Sequence, residues 1–106
     1  MPRPLGITTL RVLSAIRDGV AYGLDIIQET GMPSGTVYPT LGRLKKRGLV
    51  SSRWEDQRIA DRESRPRRRY YQLTEDGRKA LADGVARVTS LAAELAPDAP
   101  GGGAAG

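Results

Sequence analysis

Residues 31–50, Gly31-Met32-Pro33-Ser34-Gly35-Thr36-Val37-Tyr38-Pro39-Thr40-Leu41-Gly42-Arg43-Leu44-Lys45-Lys46-Arg47-Gly48-Leu49-Val50, read as a turn, a helix and the first residues of a strand. Glycine tolerates a left-handed backbone and the residue before a proline avoids helical angles, so Gly31 and Pro33 predict that a preceding helix stops near Thr30. Ser34 offers a hydroxyl to the free amides of a new helix, and Gly48 suits the position that closes one. About four turns lie between them. On a helical wheel, Val37, Leu41 and Leu44 share one side with Gly48, whereas Thr36, Pro39, Arg43 and Lys46 share the other; Tyr38, Thr40 and Arg47 fall on the flanks. The outer side therefore carries hydroxyls near its start and cations further on, the donors that base edges and phosphates accept. Pro39 removes the bond to the Gly35 carbonyl and predicts a slight bend.

The regions on either side support this helix. Upstream, Leu5, Leu10, Val12, Leu13 and Ile16 recur at helical intervals and predict a first helix from Leu5 to Asp18, ended by Gly19. A second, Tyr22 to Thr30, is expected to pack Leu24, Ile27 and Ile26. Two helices joined by Gly31-Met32-Pro33, the second exposing basic groups, have the layout of a helix-turn-helix. Downstream, Leu49 to Glu55 reads as a strand with Val50 and Trp54 on one face, and Arg68 to Leu73 as its antiparallel partner. Trp54 is read as core. The connection from Asp56 to Arg67, with no apolar residue beyond Ile59 and Ala60, is expected to be mobile until it meets a partner. A hairpin directly after such a helix is a wing, and Arg65-Pro66-Arg67-Arg68-Arg69 at its return edge can follow a phosphate backbone or enter a minor groove.

Thr74 caps a final helix whose first turn holds Glu75 and Asp76. Along it Leu81, Val85, Val88, Ala92 and Leu95 repeat at spacings of four and three with Leu91 beside them, a narrow seam suited to another helix and more than this small core can absorb. The residues after Ala96 are expected to be disordered. The architecture read from the chain is thus mainly α with a small β-hairpin. Residues 1–73 form a winged helix-turn-helix with its wing at 49–73, residues 74–95 a dimerisation helix, and residues 96–106 a tail.

Composition narrows the function. The chain has 106 residues, enough for one modest core, and neither cysteine nor histidine, which removes disulfides, thiol nucleophiles and imidazole bases. Enzyme chemistry and cofactors are not expected. Net charge is +5, but residues 43–69 hold eleven Lys and Arg against four acids, or +7, leaving −2 for the rest. A localised basic stripe attracts a polyanion, and no apolar anchoring face accompanies it for a membrane. With no signal-peptide stretch at the start, a cytoplasmic location is expected.

With these residues in hand, the chain resembles the PadR-like family of bacterial winged-helix regulators, in the subgroup with one C-terminal helix. The resemblance runs from residue 5 to about 95 and rests on Gly35-Thr36-Val37-Tyr38-Pro39-Thr40-Leu41-Gly42-Arg43-Leu44 with Gly48-Leu49-Val50, and on Arg65 to Thr74 leading into Gly77-Arg78. It implies a homodimer joined through the last helix and its contacts with the first, reading pseudo-palindromic double-stranded DNA. By position it puts Thr36, Tyr38, Pro39, Thr40 and Arg43 at the groove, Tyr22 and Ser34 near phosphates, and Arg67 and Arg68 on the wing; Lys46 and Arg65 join them from the basic stripe. Leu5, Leu10, Leu81, Val85, Val88, Leu91, Ala92 and Leu95 are the candidate dimer contacts. Members often act as repressors and some release DNA on binding a small molecule, so an effector is implied. The competing reading is a winged-helix adaptor that uses its basic face on an acidic protein.

Overall fold

The computed structural model describes residues 3–96, in the order α1 (Ile7–Arg17), α2 (Gly23–Thr30), α3 (Ser34–Lys46), β1 (Val50–Trp54), α4 (Gln57–Arg62), β2 (Arg69–Leu73) and α5 (Glu75–Leu95). The tail expected to be disordered lies, after Ala96, outside the described residues. Glycines in the left-handed region stand where the helix ends require them: Gly31 at φ 71° closes α2, and Gly48 at φ 74° follows α3.

The core is the meeting of three apolar faces. Val12 and Leu13 of α1, Ile26 of α2, and Val37, Leu41 and Leu44 of α3 are almost completely excluded from water. Each such side chain contributes roughly 1.5–3 kcal/mol relative to exposure. In α2 the buried residue is Ile26, with Ile27 half-buried, and Leu24 is 51% exposed. The expectation for Leu24 fails because α2 turns Gly23 and Ile26 inward, and residue 24 lies about 160° around the helix from Ile26.

The hairpin pairs Val50 with Leu73 through Trp54 with Arg69, in antiparallel register. Its second strand is also covered on the outer edge, since Tyr71 N–H donates to the Ala21 carbonyl at 2.7 Å and Tyr22 bridges Tyr70. Thr74 ties the wing to the helices. Its hydroxyl donates to the Gly48 carbonyl at 2.6 Å and accepts from Gly77 N–H at 3.0 Å, while its own N–H donates to the Leu49 carbonyl at 3.1 Å.

The wing connection is not a structureless loop. Asp56 accepts from Arg58 N–H at 2.9 Å and starts α4, which buries Ala60 completely. Ser64, at φ 53°, reverses the chain after it. At the other end of the molecule α5 crosses α1 at Gly84, where a Cβ would stand 2.4 Å from Leu10 Cδ2, and Arg87 donates to the Leu5 carbonyl. This contact buries only part of the α5 seam. Leu81 is in the core with Leu5 and Leu10, and Val88 is half-buried. Val85, Leu91, Ala92 and Leu95 remain exposed. Within the single chain the interface candidates Leu5, Leu10 and Leu81 are core residues, and Leu10 also lines the groove beside α5.

Candidate nucleic-acid interface

Tyr38 links the outward side of α3 to the rest of the face. Half of it is open to water. Its ring rests on α2 where Gly23 leaves room, since a Cβ there would be 2.4 Å from Tyr38 Cε1. From Tyr38 and Pro39 the exposed row continues through Gly42 and Arg43 to Lys46, along successive turns. A groove of 650 Å³ joins Tyr38 to the wing, with Tyr22, Gly23 and Leu24 on one wall and Trp54 with Arg65 to Arg69 on the other. Through Tyr38, α3 and the wing arginines thus border one continuous surface.

Within α3 the candidate residues divide. Thr36 is half-buried; Ser34, Tyr38, Pro39, Arg43 and Lys46 are exposed. Ser34 is not the cap it was expected to be: Pro33 occupies that position, and its carbonyl accepts from Thr36 and Val37 N–H. Thr40 departs from this exposed set. It is buried, its hydroxyl donates to the Thr36 carbonyl at 2.7 Å, and it accepts from Arg43 Nη2 at 3.1 Å. On the flank of the helix, its methyl-bearing side chain turned inward once its hydroxyl was satisfied within the helix. Thr40 thus meets the exposed side of α3 through its bond to the Arg43 guanidinium.

The wing is held by one buried carboxylate. Arg65 Nη1 and Nη2 grip the two oxygens of Glu55 at 2.6 and 2.8 Å, Tyr70 Oη donates to it at 3.1 Å, and Arg68 N–H at 3.3 Å. A fork-on-fork pair of this kind fixes geometry as well as charge. The Arg65 guanidinium lowers the Glu55 pKa from 4.5 to about 2, overcoming the opposing effect of burial, with help from Arg68 N–H and Tyr70. Arg65, a candidate for phosphate, is thus engaged by Glu55 within the chain. Of the next residues, Arg67 is exposed, and the half-buried Arg68 sets its guanidinium 4.2 Å from the Tyr22 ring centroid. Tyr22 packs edge-on against Tyr70. The Asp25 carboxylate beside its hydroxyl, with burial, pushes its pKa up.

Two residues at this surface were not foreseen. Trp54, expected in the core, is 53% exposed, with the Arg67 and Arg69 guanidiniums 5.0 and 5.4 Å from its ring centroid. Glu55 was counted only as a charge against the stripe. Cross-strand register brings it to Arg68, whose carbonyl accepts from Glu55 N–H at 2.8 Å, and strand pairing over an insertion of this length left no local signal.

A helix-turn-helix followed by a wing whose guanidiniums border the recognition helix defines a winged-helix DNA-binding regulator. Residues 12–83 match the transcriptional regulator PadR-like family. The chain is 34% identical over 91 residues to the transcriptional regulator Rv3488 of Mycobacterium tuberculosis, covering 81% of this chain and 79% of that one. It belongs to the PadR-like family. Among solved structures it is similar to a PadR-like transcription factor from Bacteroides fragilis, at 29% identity and a TM-score of 0.72 over 85% of this chain and 87% of the other. It is also similar to BpsR of Bordetella bronchiseptica, at 27% identity and a TM-score of 0.69 over 89% of this chain and 67% of the other; the DNA binding of BpsR is regulated by 6-hydroxynicotinic acid. The family consists of transcriptional regulators, so the chain is a regulator and not an enzyme.

Proposed function

We propose that the protein is a cytoplasmic homodimeric repressor that binds a pseudo-palindromic operator. The winged helix-turn-helix of residues 1–73 reads DNA and the helix of residues 74–95 joins two copies. The observation that carries the reading is the shared border of α3 and the wing: Tyr38 and Arg67 to Arg69 line one groove, and Arg43 and Lys46 extend the same row. In this reading α3 enters the major groove with Arg43 at base edges, and Arg67 and Arg68 take phosphates beside it.

Dimerisation is supported by the open part of the α5 seam. Leu91 and Leu95 are 50% and 74% exposed, and a 610 Å³ groove lined by Ile7, Leu10, Val85 and Val88 lies between α1 and α5. Apolar residues at helical spacing beside a groove of matching character suit a second copy of α5. Release of DNA by a small-molecule effector has its support in BpsR.

Selection from a random DNA pool with the purified full chain tests the reading. Two inverted half-sites about one helical turn, roughly 10 base pairs, apart are expected, together with a dimer by sedimentation. Failure to enrich any site, with no shift of random duplex at low salt, would refute it in favour of an adaptor that binds acidic protein.

A further inference from the structure

We infer that the Trp54 indole is a contact of the wing with the DNA backbone, packing against deoxyribose while Arg67 and Arg69 beside it reach phosphates. The inference rests on the DNA-binding reading and adds a residue of different chemistry to it. Trp54 closes β1, directly across from Arg69 in the hairpin register, and 53% of it faces water. An apolar residue exposed alone needs no explanation. This one stands within the cationic face, sharing the groove with Tyr22, Tyr38 and Arg68.

The Arg67 and Arg69 guanidiniums, 5.0 and 5.4 Å from the ring centroid, use the attraction of a cation for the ring face and leave much of the indole open. Arg69 is further steadied by its Nε bond to Ser52 Oγ at 3.1 Å. Along a nucleic-acid strand, the apolar surface between successive phosphates is the sugar. A wing that presents two guanidiniums beside an open indole therefore matches the alternation of phosphate and deoxyribose. Such a contact carries no sequence information, and it adds affinity without neutralising a further phosphate.

Trp54 is the only tryptophan, so emission excited at the red edge of the indole band, where the four tyrosines do not absorb, reports on this side chain alone. In a titration of the full chain with a random-sequence duplex at low salt, emission should change in step with the gel shift and acrylamide should quench the bound protein less. Trp54→Ala should bind random and selected duplexes about tenfold more weakly alike, as expected for loss of a half-buried indole contact, with the salt slope unchanged. Trp54→Phe, which keeps an apolar ring, should recover part of that affinity and guards against a misfolded alanine variant. A saturated gel shift with emission and quenching unaltered, or alanine binding equal to the native chain, would overturn the inference and leave the DNA-binding reading intact. No binding of any duplex at low salt would overturn both.

Discussion

Substituting Gly77 by alanine puts a methyl group where the fold has no room for one. The Cβ would stand 1.9 Å from the Leu49 carbonyl oxygen and 2.9 Å from its carbon, both backbone atoms. Neither can rotate away, because that carbonyl accepts the Thr74 N–H at 3.1 Å and Leu49 is itself buried. Alanine gains about 1 kcal/mol over glycine inside a helix. Against this stand the roughly 1–3 kcal/mol, occasionally more, of overpacking, and about 1 kcal/mol for a loosened Thr74 bond. The net expectation is a loss of roughly 1–3 kcal/mol. The same substitution at Gly42 supplies the control, since nothing lies within 4 Å of its Cβ position in mid-α3 and the helical gain of roughly 0.5–1 kcal/mol is unopposed. Urea denaturation at one fixed protein concentration reads both, the concentration held because any association adds to apparent stability. With a slope of about 1–3 kcal/mol per molar, the Gly77→Ala midpoint should fall by roughly 1 M and that of Gly42→Ala should rise. Two shifts of the same sign and similar size would show that the close approach of α5 to the start of the wing does not constrain the fold.

Three further outcomes are expected. Arg43→Ala should weaken binding to a selected operator by roughly 1–3 kcal/mol and random duplex much less, while Arg67→Ala should weaken all duplexes and lower the salt slope by about 1; equal losses from both on both duplexes would contradict the division between base and phosphate contacts. Leu91→Glu combined with Leu95→Glu should leave far-UV circular dichroism unchanged, produce a monomer by sedimentation, and reduce operator affinity by about 10²-fold through loss of paired half-sites; a dimer that persists would place the interface elsewhere. The Glu55 carboxylate, depressed from 4.5 to about 2, contributes stability that is complete above about pH 4.5 and disappears as pH falls through about 2. Thermal melts should therefore show the advantage of the native chain over Glu55→Gln shrinking across that interval, and an advantage unchanged down to pH 2 would exclude the ion pair as its source.

What could be read from the sequence was what depends on short spacings. Gly31 and Gly48 marked the ends of α2 and α3, because a left-handed backbone is a local requirement. Val37, Leu41 and Leu44 marked the inner side of α3, because helical periodicity sorts side chains before any tertiary contact exists. The winged helix-turn-helix and the localised charge followed from those signals. Helix α4 escaped notice because it is six residues long, has no apolar stripe, and is followed after its cap by Ser64 in the left-handed region, where glycine would have signalled the stop.

The candidate surface divides on the same principle. Outward residues Arg43 and Lys46 were legible from the wheel, whereas the burial of Thr40, the partner of Arg65 and the exposure of Trp54 were not, because tertiary packing set them. Thr40 turned inward on the flank of α3, Arg65 was claimed by a carboxylate ten residues away, and Trp54 was left open among the wing arginines. The chain alone determined which helices form, where they stop and which third of the molecule is cationic, since each depends on backbone preference or charge within a few residues. Only the tertiary structure decided which arginine is spent on Glu55, which part of the α5 seam α1 covers, and that an indole faces water beside the guanidiniums, because strand register and helix packing join residues that no local pattern connects.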